Sequence, residues 1–290
     1  MRIRAICALP VVLAAAFFVP EAAGGDAGIA ALQVGLQTRG LYKGPIDGIN
    51  GPGTAKAVRR LQKRARITVD GVPGPQTRRA LGRFGRHPLG SRPLKKGNRG
   101  WDVASLQFRL AEHGFPSGHF DGIFGPHVEA ALRRFQEWSA LTRDGVAGPA
   151  TLYALTQPPP SIPLPLAWPL TTPVLGDPFG PRGTSWHAGI DLPAPLGTPV
   201  YSARSGQVVW AGWRDGWGLL VTVAHGRGER TMYAHLSRVD VRIGVLVAQG
   251  VRLGRVGATG HATGPHLHFE VRIRNASVDP LRALPNAVST

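Results

Sequence analysis

Gly264-Pro265-His266-Leu267-His268-Phe269-Glu270-Val271-Arg272-Ile273 decides how the second half of this chain is read. From His266 polar and apolar side chains alternate, which is the period of a strand, and alternation puts His266 and His268 on one face. Working outward, Pro199-Val200-Tyr201-Ser202, Gly206-Gln207-Val208-Val209-Trp210 and Leu219-Leu220-Val221-Thr222-Val223 are further strand candidates. Turn residues divide them at short intervals, so this half is expected to be mainly antiparallel β.

The first half carries a different pattern, and it occurs twice. Asp47-Gly48-Ile49 returns as Asp121-Gly122-Ile123, an offset of 74 residues that also superposes Leu32-Gln33 on Leu106-Gln107 and Arg59-Arg60 on Arg133-Arg134. At the same offset Gln62 meets Gln136, and Asp70-Gly71-Val72 meets Asp144-Gly145-Val146, with no gap. Such self-similarity marks a duplication. In the first copy Ile29, Leu32 and Leu36 fall at helical spacing, Ala57, Val58 and Leu61 form a second apolar face, and Ala80-Leu81 belong to a third. Each copy is therefore expected to be three short helices punctuated by Asp-Gly and Gly-Pro turns. Leu106, Leu110, Phe115, Leu132, Phe135 and Trp138 supply the core of the second.

A third zone separates the two. Gln157-Pro158-Pro159-Pro160-Ser161-Ile162-Pro163-Leu164-Pro165 is spaced as an extended, stiff connector. At the other end, Arg2 and Arg4 precede an apolar run from Ala5 to Val19 and small residues at Ala22 to Gly25, the pattern of an export signal. No stable membrane insertion is expected after its removal. The single cysteine, Cys7, lies inside that signal, so a thiol nucleophile and disulfides are excluded from the mature chain.

Thirty-four Lys and Arg against 17 Asp and Glu give a net charge of +17. That balance favours a polyanionic neighbourhood. For an exported protein, anionic wall polymers fit better than nucleic acid, which is not expected as a partner.

Three segments carry chemistry: His187-Ala188-Gly189-Ile190-Asp191, Tyr233-Ala234-His235-Leu236-Ser237, and the His266–Glu270 run. A lone histidine is usually a surface or core residue; this many together is a different matter. On a straight strand His187 and Asp191 would stand ~13 Å apart, so sharing one ion requires a bend, with Gly189 the place for it. Two imidazoles, one carboxylate and a water form an open tetrahedral zinc site suited to hydrolysis, leaving two histidines for acid and base work. His261 is a candidate groove residue, His225 sits near a turn, and Trp210, Trp213 and Trp217 are expected more in the core than in the groove.

These residues resemble the lysostaphin-type (LytM-like) zinc endopeptidases, whose signature is His-x-x-x-Asp and, far downstream, His-x-His. The likeness runs from about Asp177 to Leu281 and includes Phe179-Gly180-Arg182 and Val278-Asp279-Pro280. It implies that His187, Asp191 and His268 hold one zinc ion (Zn2+) per chain, while His235 and His266 stay off the metal and act on water and transition state. Two positions depart from the family: Leu219 is apolar where a polar residue is usual, and Pro181 replaces an aromatic of some members.

The duplicated half resembles the helical peptidoglycan-binding repeat of wall hydrolases, with Leu-Gln, Asp-Gly-x-x-Gly, and Asp-Gly-x-x-Gly-x-x-Thr in order. It departs at Asn50, opposite Phe124, and at Val128, opposite Thr54. The expected architecture is multidomain. An export signal (1–25) leads into two peptidoglycan-binding repeats (26–84 and 98–157), a proline-rich linker (158–172) and a mainly antiparallel β metallopeptidase domain (173–285).

The expected function is a secreted zinc endopeptidase of the cell wall, with peptidoglycan as partner. The alternative is a catalytically silent wall-binding activator of other hydrolases, which would be expected to lack at least one of the five residues. A mononuclear iron oxygenase also uses two histidines and a carboxylate, but export and wall-binding repeats fit it poorly.

Overall fold

A computed structural model describes residues 25–162 and 165–285, so the expected export signal, apart from Gly25, lies outside the described residues. Six helices come first: α1 (Ala27–Gln37), α2 (Pro52–Ala65), α3 (Pro75–Ala80), α4 (Trp101–Glu112), α5 (Pro126–Trp138) and α6 (Pro149–Ala154). They fall three to a copy, as the duplication requires. Proline at the first position starts α2, α3, α5 and α6, where its missing N–H goes unneeded.

The conserved-looking spacing within the copies has a plain hydrogen-bond cause. Gln62 Nε2 donates to Asp70 Oδ1 at 2.7 Å and to Thr77 Oγ1 at 3.1 Å, while its Oε1 accepts the Gly71 N–H at 2.9 Å. Gln136 repeats these bonds with Asp144, Thr151 and Gly145. Gln33 and Gln107 bind the other two Asp-Gly turns, through the N–H groups of Gly48 and Gly122. Those turns need φ near +70°, at Gly48 and Gly122 alike, which glycine adopts without strain.

The β half holds β1 (Gly180–Arg182), β2 (Ser185–His187), β3 (Ile190–Pro193), β4 (Pro199–Tyr201), β5 (Gly206–Arg214), β6 (Gly218–Gly226), β7 (Glu229–Val239), β8 (Leu246–Val247), β9 (Arg252–Val256), β10 (His266–Ile273) and β11 (Ala276–Val278). β1 and β2 form a separate hairpin, and the others form a nine-stranded sheet with the path β11-β10-β7-β6-β5-β8. All pairings are antiparallel. One face buries Ile190, Leu192, Val221, Tyr233, Leu267 and Phe269 in a common core.

The proline-rich connector behaves differently from expectation. It carries no helix or strand among the described residues, yet Leu166 and Leu170 are buried in the β core, and Ile162 and Trp168 pack against it. Burying each leucine is worth about 1.5–3 kcal/mol relative to exposure, enough to hold the segment down. Leu166 N–H also donates to Ala283 O at 2.9 Å.

Nor are the two halves held apart. Ile46 N–H donates to Gly183 O at 2.8 Å, Phe120 N–H to Thr184 O at 2.7 Å, and Ser277 N–H to Gly114 O at 3.0 Å. Trp186, on β2, packs into the helical core and meets Phe108 edge-on at 5.9 Å. Ala276, on β11, is buried in the second copy's core.

Candidate metal centre

β10 sorts its side chains by face. Leu267, Phe269 and Val271 are buried in the core, which leaves His266, His268, Glu270 and Arg272 on the opposite face. β3 pairs alongside with Asp191 opposite His268, so a carboxylate and an imidazole become neighbours by register alone. His268 Nδ1 lies 2.8 Å from Asp191 Oδ1.

His187 joins them from the end of β2, and the chain bends before β3 begins at Ile190. Gly189 sits at that bend, but its φ is not in the left-handed region. Its smallness serves a close approach instead, since a Cβ there would collide with the Phe269 carbonyl oxygen. His187 Nε2 then stands 3.1 Å from Asp191 Oδ1 and 3.0 Å from His268 Nδ1. The three sequence-predicted ligands thus converge, and they form the one such His/Asp cluster found among the described residues.

The outer nitrogens settle which lone pairs face inward. His187 Nδ1 is 2.8 Å from Pro178 O, and His268 Nε2 is 3.0 Å from Glu270 Oε1. Both partners only accept, so those nitrogens carry hydrogen and present His187 Nε2 and His268 Nδ1 as bare donors. Two lone pairs and a carboxylate oxygen about 3 Å apart repel one another unless a cation sits among them. This N2O donor set suits zinc.

The electrostatics carry the same message. Burial works against charge on His268, but Asp191 and Glu270 outweigh it and hold the imidazole up to about 9. Burial also raises Asp191, yet the adjoining imidazoles of His187 and His268 prevail and keep it well below the usual carboxylate range. Glu270 is opposed by burial too, but Arg272, His268 and Trp217 bring it down to about 2. An environment that binds a proton this firmly favours a cation in its place.

His235 and His266 stand beside the cluster with ring centroids 4.8 Å apart. His235 Nδ1 is 2.7 Å from Thr259 O, and His266 Nδ1 is 2.8 Å from Gly264 O. Each backbone carbonyl fixes a tautomer whose Nε2 is free to accept a proton. Burial holds His235 down to about 4, so it is neutral at ordinary pH. His235 takes a φ of +60°, an uncommon conformation for a residue with a side chain, and its N–H donates to Trp217 O at 2.9 Å.

All five residues except His187 line a cavity of about 460 Å³, together with Asp177, Arg182, Trp217, His261 and Thr263. Arg182 Nη1 lies 3.0 Å from Asp191 Oδ2. His261 therefore borders the groove, whereas His225 bonds Ser205 O and Thr231 outside the lining. Trp210 and Trp213, at 38% and 58% exposed, correct the expectation of core placement, whereas Trp217 packs against Leu220, Met232 and Ala234 and also lines the groove.

Two contributors escaped the sequence reading. Glu270 was readable, since it continues the alternation of His266 and His268 by one more step. Thr259, whose carbonyl sets the His235 tautomer, had no signal, because only sheet pairing brings it near.

Comparison with known proteins agrees with this geometry. Residues 185–280 match the family model described as "Peptidase family M23", and residues 25–81 and 99–155 each match "Putative peptidoglycan binding domain". The chain is 42% identical over 124 residues to the DD-carboxypeptidase/endopeptidase Mpg of Neisseria meningitidis, covering 40% of this chain and 29% of that protein. It is 42% identical over 104 residues to the peptidoglycan DD-endopeptidase ShyB of Vibrio cholerae, covering 36% and 24%. The chain thus spans under a third of the length of these curated relatives. A longer share, 61%, is spanned of the Escherichia coli lipoprotein YgeR, at 35% identity over 156 residues. The chain carries a peptidase family M23 domain of LytM type, preceded by two repeats of the peptidoglycan-binding class.

Proposed function

We propose that this protein is a secreted, zinc-dependent peptidoglycan endopeptidase that cuts peptide cross-links or stems of the bacterial cell wall. The observation that carries the reading is the convergence of His187 Nε2, Asp191 Oδ1 and His268 Nδ1 to within about 3 Å of one another. His187, Asp191 and His268 would hold one zinc ion, and zinc bound there supplies a Lewis acid and a nucleophile near neutral pH.

The remaining chemistry belongs to the side chains. His235, neutral and with Nε2 open to the groove, takes a proton from the attacking water. His235 then returns that proton to the leaving amine, while His266, facing it across 4.8 Å between ring centroids, hydrogen-bonds the developing oxyanion in its protonated form. Assigned in reverse, the two would serve the same chemistry, since both present Nε2. Glu270 keeps the His268 ring in its binding tautomer, and Arg182 holds the outer oxygen of Asp191.

The relatives named as DD-endopeptidases support wall peptide as the substrate class, and the repeats at 26–84 and 98–157 support wall targeting. Tethering to the wall raises the local concentration of cleavable bonds. Peptidoglycan lies outside the cytoplasmic membrane, which is why export is part of the reading.

The test measures release of new amino groups from purified peptidoglycan by the mature protein, with and without a chelator, beside His268→Ala. Release that stops on chelation, returns with zinc and is absent from the variant is the expected result. Wall binding with no amine release from any wall chemistry would sink the peptidase and favour a silent activator.

A further inference from the structure

The two helical copies share a scaffold but differ in one groove. In the first copy the Tyr42 ring lies across it. Its hydroxyl donates to Pro45 O at 2.8 Å and sits 3.3 Å from Gln33 Nε2, and the residue is 8% exposed. At the offset of 74 residues Tyr42 is replaced by Pro116 and Thr54 by Val128. No ring fills the space in the second copy, where a cavity of about 640 Å³ opens instead.

The lining says what would fit. Ser117 is 7% exposed, borders the cavity, and its hydroxyl has no hydrogen-bond partner among the described residues. Arg134 also lines the cavity, and its single hydrogen bond among the described residues is a long one of 3.4 Å to Pro116 O. No carboxylate pairs with it there. The first turn of α5 borders the cavity through Gly125, His127 and Val128, and its free N–H groups favour negative charge. The acidic side chain in the lining, Asp121, is engaged by Gln107 and by the Ile123 N–H.

We propose that the groove of the second repeat, between Pro116 and Arg134, binds the carboxylate-bearing stem peptide of peptidoglycan, while the first copy, plugged by Tyr42, is structural. This rests on the wall-hydrolase reading above and narrows it to one repeat and one part of the polymer. The placement is apt for delivery. His119 on the cavity rim is 2.8 Å from Thr184 Oγ1, in the turn that leads to His187. A wall strand held there runs beside the metal-bearing hairpin.

The experiment titrates the full chain with a soluble, uncross-linked disaccharide–tetrapeptide of peptidoglycan by calorimetry. Arg134→Gln removes the charge from an exposed side chain, Pro116→Tyr installs the plug of the first copy, and Arg60→Gln is the equivalent control in that copy. The expected result is wild-type affinity for Arg60→Gln and at least tenfold weaker binding for the other two. Wild-type affinity in both Arg134→Gln and Pro116→Tyr, or equal weakening by Arg60→Gln, overturns the assignment. So does equal affinity for the peptide-free disaccharide. Amine release by the wild-type protein is read in parallel: its absence, with the expected binding pattern intact, counts against the peptidase alone and supports the groove.

Discussion

His268 Nε2 lies 3.0 Å from Glu270 Oε1, so one strand supplies both an imidazole of the His/Asp cluster and the carboxylate that turns it. Glu270 is 1% exposed and also receives Trp217 Nε1 at 2.9 Å and Arg272 Nη2 at 2.7 Å. Glu270→Gln keeps an acceptor but removes the charge. Zinc affinity is expected to fall roughly 10–100-fold, the usual cost of losing such an outer partner. Competition against a chromogenic chelator reads it, and unchanged affinity would reduce Glu270 to a packing residue.

His235→Ala and His266→Ala should separate acid–base work from metal binding. Each is expected to lower kcat by about 10²–10⁴ while the protein keeps one zinc per chain. Elemental analysis of the purified variants, beside their rates, checks this. Loss of zinc in either would move that histidine into the ligand set.

Gly189→Ala forces a Cβ against the Phe269 carbonyl oxygen on β10. Overpacking of this kind typically costs about 1–3 kcal/mol. Because the strain falls between His187 and Asp191, zinc affinity should drop along with stability. Urea unfolding and chelator competition together test the point; a stable variant that binds zinc normally would contradict it.

Glu112, at the end of α4, gives a pH signature far from the metal. Burial raises its carboxyl to about 7, against a smaller opposing effect of Arg109, and its Oε1 has no hydrogen-bond partner among the described residues. With the folded value above the unfolded one, near 4.5, the native state holds the proton more firmly. The protonated form costs the fold nothing below pH ~4.5, and stability is lost as pH rises toward 7, by up to about 3 kcal/mol. Glu112→Gln should therefore match wild type at pH 4.5 and exceed it at pH 8 in chemical denaturation. An equal difference at both pH values would rule out the titration.

Much of this molecule was legible in residue order, for identifiable reasons. Strict alternation exposed β10 and the shared face of His266 and His268, and the offset of 74 residues exposed the duplicated helices. The bend at Gly189 was foreseen, though its cause was not: the glycine avoids a neighbouring strand rather than adopting an unusual φ. What stayed hidden depends on strand pairing and packing across long separations. Thr259 reaches His235 only because β7 and its neighbours fold back. Leu166 and Leu170 looked like linker residues because proline spacing dominates their surroundings. Tyr42 and Pro116 differ by one side chain, and only the packed helices reveal that one fills a groove and the other leaves it open.

The hairpin of β1 and β2 has a further consequence. Trp186, the residue just before His187, is anchored among Phe108 and the helical core, while Ile46 and Phe120 grip the turn behind it. His187 is thus borne on a limb whose footing lies in the other half of the chain. Cutting the molecule at the proline-rich segment would release a β-sheet whose His187-bearing arm had lost its support. Evolution, or an engineer, cannot exchange these halves like interchangeable cassettes without first rebuilding that footing.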